Sequence, residues 1–197
     1  MIEWLESIDR AIVEAVNGCN SPFWDEFMWI VSAKLTWVPL YVALIYLAIR
    51  QNGWKIGVIF FLGVVMAVGF ADIISTQLFK ELIQRYRPSH HALLTEKLHF
   101  YQIDAQNIYR GGQYGFVSSH AANTFAICVF SMLHLRSYKR WLYPILIGVA
   151  LLISYSRIYL GVHYLSDVFV GALLGTAIAW TIYRFVFLTI VKKLDRK

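Results

Sequence analysis

Charge is scarce in this chain. Only 15% of its 197 residues are charged while 58% are hydrophobic, and the mean hydropathy is +0.55. A soluble domain of this length would not be so apolar, and several runs exceed the roughly 18–20 residues needed to cross a bilayer. Cysteine is scarcer still: Cys19 and Cys128 are the only two, and Cys128 lies inside an apolar run. Neither a disulfide framework nor a cysteine-based metal motif follows. The first 20 residues are acidic and lack a basic n-region with a clean apolar core, so no signal peptide is expected. Internal repeats and low-complexity segments are absent too. The formal charge of +6 resembles a nucleic-acid signal until the basic residues are located. Most sit between or after the apolar segments, where they set membrane topology and call for no nucleic acid.

What is present reads as an all-α integral membrane helical bundle, one domain over residues 1–197. About five transmembrane helices are expected, at 23–49, 55–85, 118–135, 141–160 and 164–190. Before them, Trp4, Leu5, Ile8, Ile12 and Val16 recur at helical spacing among acids and Arg10. That pattern fits an amphipathic interfacial helix within residues 1–20, and equally a helix packed on the bundle. Gly18 to Pro22 ends it. The connectors at 50–55 and 136–140 and the tail from 192 carry Arg50, Lys55, Arg136, Lys139, Arg140, Lys192, Lys193, Arg196 and Lys197. With five spans all three lie on one side, which the positive-inside rule makes cytoplasmic. The 86–117 loop then lies outside, together with the acidic N-terminus and the 160–164 turn.

Ionisable residues cluster at that outer face. The stretch SRIYLGVHYLSD, Ser156 to Asp167, joins two apolar runs yet holds an arginine, a histidine and an aspartate. Such groups are costly at membrane depth unless they line a polar cavity. His163 and Asp167 are spaced i, i+4, so a carboxylate can take the Nδ1 proton and leave Nε2 free to attack or accept. Arg157 would bring a forked cation to an oxyanion. Upstream, KELIQRYRP places Lys80 and Arg87 seven residues apart, two helical turns on one face, with Arg85 on another. Pro88 is expected to stop that helix. Alone, these would read as snorkelling cations. In GFVSSHAAN, Ser118 and Ser119 start a helix and His120 falls in its first turn. Free backbone N–H groups there offer an anion site, and His120 could serve as a general acid. Alone, Ser118-Ser119 would be an N-cap.

Together the pattern is K-x6-RP, then S-x-H at a helix start, then SR-x5-H-x3-D. It resembles the type 2 phosphatidic acid phosphatase family, whose fold also serves vanadium haloperoxidases and glucose-6-phosphatase. The resemblance covers the three signatures and the helical core from about 55 to 190. It implies that His163 is a nucleophile forming a phosphohistidine, that Asp167 orients it, and that His120 protonates the leaving group and then activates water. Lys80, Arg87, Arg157 and Ser118, with backbone N–H groups near Ser119, would bind the phosphate. No cofactor and no metal is implied, because fixed cations do the electrostatic work. The family commonly reads PSGH where this chain has Val117-Ser118-Ser119-His120. Ser119 therefore puts a side chain where backbone closely approaches phosphate.

The expected activity is hydrolysis of a membrane lipid phosphate or diphosphate, such as undecaprenyl diphosphate, phosphatidylglycerol phosphate, phosphatidic acid or a lipid A phosphate. Compactness and charge placement point to a bacterial inner membrane with the site facing outward. Phosphotransfer through the same histidine is the enzymatic alternative, and a non-catalytic transport protein the other. A haloperoxidase is disfavoured because those relatives are typically soluble and bind vanadate. His90 and His91 read as solvated loop residues, with contact to a substrate headgroup as the alternative, while Asp72 and Lys34, inside apolar runs, read as structural.

Overall fold

The computed structural model describes residues 2–194, so Arg196 and Lys197 of the basic tail lie outside the described residues. Its elements are α1 (Ile2–Asn17), α2 (Pro22–Ser32), α3 (Lys34–Asn52), α4 (Trp54–Ile83), α5 (Ser119–His134), α6 (Arg136–Tyr159) and α7 (Leu165–Leu194). Among the described residues β pairing is limited to isolated bridges, such as Tyr86 with Tyr114. Helices α4, α6 and α7 are each long and apolar enough to cross a membrane. Phe61, Leu62, Val65, Leu151, Phe169 and Leu173 stand exposed on them, the inverse of a soluble surface and a face that lipid covers.

The expected first span is broken. Helices α2 and α3 meet at 67° and count as a fourth span only if taken as one. The break is at Ala33, whose backbone is extended (φ −73°, ψ 130°). Carbonyls released there find side-chain donors: Thr36 Oγ1 donates to the Ile30 carbonyl at 2.6 Å and Trp37 Nε1 to that of Val31 at 2.8 Å. The expected third span is α5, only 16 residues long. At 1.5 Å per residue it extends about 24 Å, shorter than the hydrocarbon core.

Helix α5 occupies the centre, packed most extensively on α7 and next on α4. Small residues set that closeness. A methyl group at Gly175 would lie 2.0 Å from the Ala122 carbonyl oxygen, and one at Gly171 2.6 Å from that of Ser118. The two glycines four apart on α7 thus receive the backbone of α5, as helix pairs in lipid favour. Ser118 N–H also donates to the Asp167 carbonyl at 3.0 Å, tying the first turns of the two helices together.

Helix α1 buries Asp9, Val13 and Asn17, a stripe at i, i+4, i+8, and leaves Trp4, Leu5 and Ile8 outward. The helix thus packs on the bundle and presents an apolar outer face. The 86–117 loop closes over it. Leu94 and Leu98 pack with Val13, Ile158 and Tyr164, and Asn17 Nδ2 donates to the carbonyls of His99 and Tyr159 at 2.7 and 2.8 Å.

The α5–α7 contact generates a test. Gly175→Ala should destabilise the protein in detergent by about 1–3 kcal/mol, the usual cost of overpacking. Gly148→Ala, where a methyl group meets nothing within 4 Å, should leave the unfolding temperature unchanged; thermal unfolding of both variants measures the difference.

Candidate active site

Helix α4 does not run to Pro88 as the sequence suggests. It ends at Ile83, and Gln84 takes a left-handed conformation (φ 49°) that turns the chain. Arg87 follows in extended backbone, pinned by its N–H to the Gln113 carbonyl at 3.1 Å. Lys80 and Arg87 therefore reach the same cavity by different routes: Lys80 from the end of a π-helical stretch, Ile74–Lys80, and Arg87 from the loop. Wide π turns of this kind re-aim side chains and recur at functional sites.

A cavity of about 400 Å³ gathers Lys80, Arg87, Ser119, His120, Arg157 and His163. They come from the end of α4, the loop that follows it, the start of α5, the end of α6 and the turn before α7, all at one end of the bundle. His163 is 1% exposed. Its Nε2 lies 2.8 Å from Arg87 Nη1 and its Nδ1 lies 3.4 Å from Asp167 Oδ2. A guanidinium can only donate, so Nε2 must carry the lone pair and Nδ1 the proton. Burial, then Arg87 and the other cations, hold the pKa of His163 well below the ordinary 6.5, so the ring is neutral at physiological pH. Burial and Arg157 pull Arg87 down to about 10, which leaves it cationic.

Each cation is held in place. Lys80 Nζ donates to Ser119 Oγ at 2.8 Å, and Ser75 Oγ lies 3.0 Å from the same oxygen. Ser119 thus steers the lysine. Arg157 donates through Nη1 to Ser32 Oγ, beside the break between α2 and α3, and through Nη2 to Tyr109 Oη at 2.7 Å. The buried Nε atoms of Arg87 and Arg157 have no acceptor among the described residues. Ser118 is fully buried, caps α5 by accepting from Ala121 N–H at 3.4 Å, and contributes no side chain to the cavity wall. Asp167 also stands behind the wall, in contact with His163.

A family model described as the PAP2 superfamily matches residues 57–190. The chain belongs to that superfamily. Over 183 residues it is 36% identical to the lipid A 4'-phosphatase of Bacteroides thetaiotaomicron, covering 93% of this chain and 79% of that one. It is 31% identical over 184 residues to the lipid A 4'-phosphatase of Porphyromonas gingivalis, covering 93% and 75%. The fold matches the crystal structure of the first transmembrane PAP2 type phosphatidylglycerolphosphate phosphatase from Bacillus subtilis. That match has a TM-score of 0.66 at 26% identity and covers 92% of this chain and 85% of the other. These relatives are membrane lipid phosphatases, and this chain is an integral membrane member of their family.

Within this PAP2 site, two residues escape the sequence reading. Arg85, which helical spacing put on another face, bridges Asp167 Oδ1 and Asp9 Oδ2 at 2.9 Å each, and its guanidinium lies 4.1 Å from the Tyr164 ring. Asp9 reaches in from α1, also accepting from Ser166 N–H at 3.0 Å and from Ser166 Oγ. The Asp167 carboxylate is thus held by Arg85 and by Tyr164 N–H at 3.0 Å while it faces His163. Nothing local in the sequence pointed to Asp9.

Removing Arg85 would leave two buried carboxylates uncompensated, a loss of about 3–5 kcal/mol for a buried ion pair. Arg85→Ala should therefore lower both the unfolding temperature and the rate of phosphate release, and Arg85→Lys should recover part of each. Thermal unfolding and a phosphate assay on the same preparations check this.

Proposed function

We propose that this chain hydrolyses a membrane lipid phosphate or diphosphate through a phosphohistidine on His163. The observation that carries the reading is the Nε2 atom of His163, a neutral lone pair facing three cations, with its Nδ1 proton turned toward Asp167. Phosphate oxygens bind Lys80, Arg87 and Arg157, and Arg87 passes from Nε2 to the phosphate. Nε2 attacks phosphorus as the P–O bond to the lipid breaks, and His120 delivers a proton to the departing oxygen. Water then attacks the phosphohistidine, His120 takes its proton, and the P–N bond breaks. The cations and the first N–H groups of α5 stabilise charge gathering on the equatorial oxygens, so no metal ion takes part. Ser118 and Ser119 serve phosphate binding through the helix start they form and through the hold on Lys80.

The site opens at the end of the bundle opposite Arg50, Lys55, Arg136, Lys139 and Arg140. The positive-inside rule supports a periplasmic or extracellular site in a bacterial inner membrane, with the 86–117 loop on the same side. Substrates within this reading are undecaprenyl diphosphate, phosphatidylglycerol phosphate, phosphatidic acid and lipid A phosphates.

Phosphate release by the purified protein in detergent, with excess chelator present, tests the chemistry. His163→Ala should reduce turnover by at least about a thousandfold, as loss of a nucleophile does. His120→Ala should leave an acid-labile phosphoenzyme detectable after quenching. Because the pKa of His163 is lowered, its nucleophilic form persists as pH falls through 6.5. The acid limb of kcat/KM should accordingly lie below that value; a limb centred on 6.5 would contradict a buried, neutral His163.

A further inference from the structure

The catalytic cavity continues into an apolar groove of about 510 Å³ between α3, α4 and α5, walled by Leu44, Phe60, Val64 and Val65. Lys34, Tyr41, Asp72 and Asn123 supply the polar groups that line both spaces. Asp72 stands eight residues before Lys80 on α4, roughly 12 Å along the axis, and Asn123 three residues past His120, about 5 Å. A lipid with its phosphate against His163 and a chain in the groove passes its headgroup across this pair of residues.

Their chemistry differs from that of the rest of the wall. Asn123 Nδ2 donates to Asp72 Oδ1 at 2.9 Å, which fixes both side chains. The Asp72 carbonyl accepts from Ser75 Oγ at 3.0 Å and Thr76 Oγ1 at 2.6 Å, so this turn of α4 is rigidly held. Asn123 Oδ1 is buried without a donor among the described residues. Asp72 is half-buried, and its Oδ2 accepts from no donor among the described residues. Asp72 is also the one carboxylate among the described residues lining either space. A buried acceptor left unpaired costs about 1–3 kcal/mol unless a ligand satisfies it. Beside the Lys34 cation, these two acceptors between phosphate and chain select for hydrogen-bond donors on the substrate.

We propose that Asp72 and Asn123 form a headgroup subsite accepting hydrogen bonds from hydroxyl or amide N–H groups of the substrate. It places the preferred substrate among lipid phosphates whose headgroup carries free hydroxyl or amide N–H groups. This rests on the lipid phosphatase reading above and narrows its substrate class.

A matched pair of probes tests it: a diacylated N-acylglucosamine 4-phosphate, and the same lipid with its ring hydroxyls methylated. Methylation removes donors while keeping the phosphate and the chains. The wild type should favour the free-hydroxyl lipid in kcat/KM by about tenfold or more, as sites built to bind a substrate hydroxyl do. Asp72→Asn, which offers a donor in place of an acceptor, should bring that ratio close to one. Asn123→Ala should lower it as well, and carries the test alone if Asp72→Asn does not fold. A wild type without preference overturns the subsite, as do folded variants that keep the preference or lose activity on both lipids by one factor. Failure of the wild type to release phosphate from any lipid phosphate would instead strike the underlying reading.

Discussion

The approach of α5 to α7 governs everything else in this molecule. His120 lies in the first turn of α5 and His163 in the turn just before α7, and the two share one cavity only because these helix starts meet. Gly171 and Gly175 remove the side chains that would hold the helices apart, and the Ser118 N–H to Asp167 carbonyl bond fixes their register. In lipid, apolar burial gives little drive for helices to associate, so such backbone proximity and such polar links carry the specificity. The same contact leaves the Asp167 side chain facing the imidazole of His163, because its main chain is already committed to α5.

Around that contact the charges are balanced in layers. Lys80, Arg87 and Arg157 face the cavity, and each is steered by a neutral partner: Ser119, the Val162 carbonyl and Tyr109 respectively. Behind the imidazole the order reverses, with two carboxylates sharing Arg85. A neutral histidine therefore sits between cations in front and an acid pair behind. Such a field favours a bound anion in front while keeping the ring's proton on the far nitrogen.

Much of this was legible in the sequence, for identifiable reasons. The three signatures lie at helix ends, where capping and hydropathy speak clearly, and the cavity collects Lys80, Arg87, His120, Arg157 and His163 together. What local periodicity could not reach were contacts made across long stretches of chain. Arg85 is set by Asp9 and Asp167, 76 and 82 residues away, and the left-handed Gln84 between it and Lys80 voids the helical-face argument. The break at Ala33 carries no proline or glycine at the hinge itself; it is stabilised by Thr36 and Trp37 reaching back over the turn. Asp72 looked structural because an acid in an apolar run is expected to be paired, and its partner, Asn123, is 51 positions on.

The position of Asp9 has a practical corollary. Its helix shows Trp4, Leu5 and Ile8 on one side and this carboxylate on the other. A line of four side chains therefore runs from the lipid-facing surface through Asp9, Arg85 and Asp167 to the imidazole. Trimming the first dozen residues, or fusing a bulky partner to them, would disturb the carboxylate behind His163, though nothing there lines the cavity. The far end of α7, across the bundle, offers a gentler place for a tag.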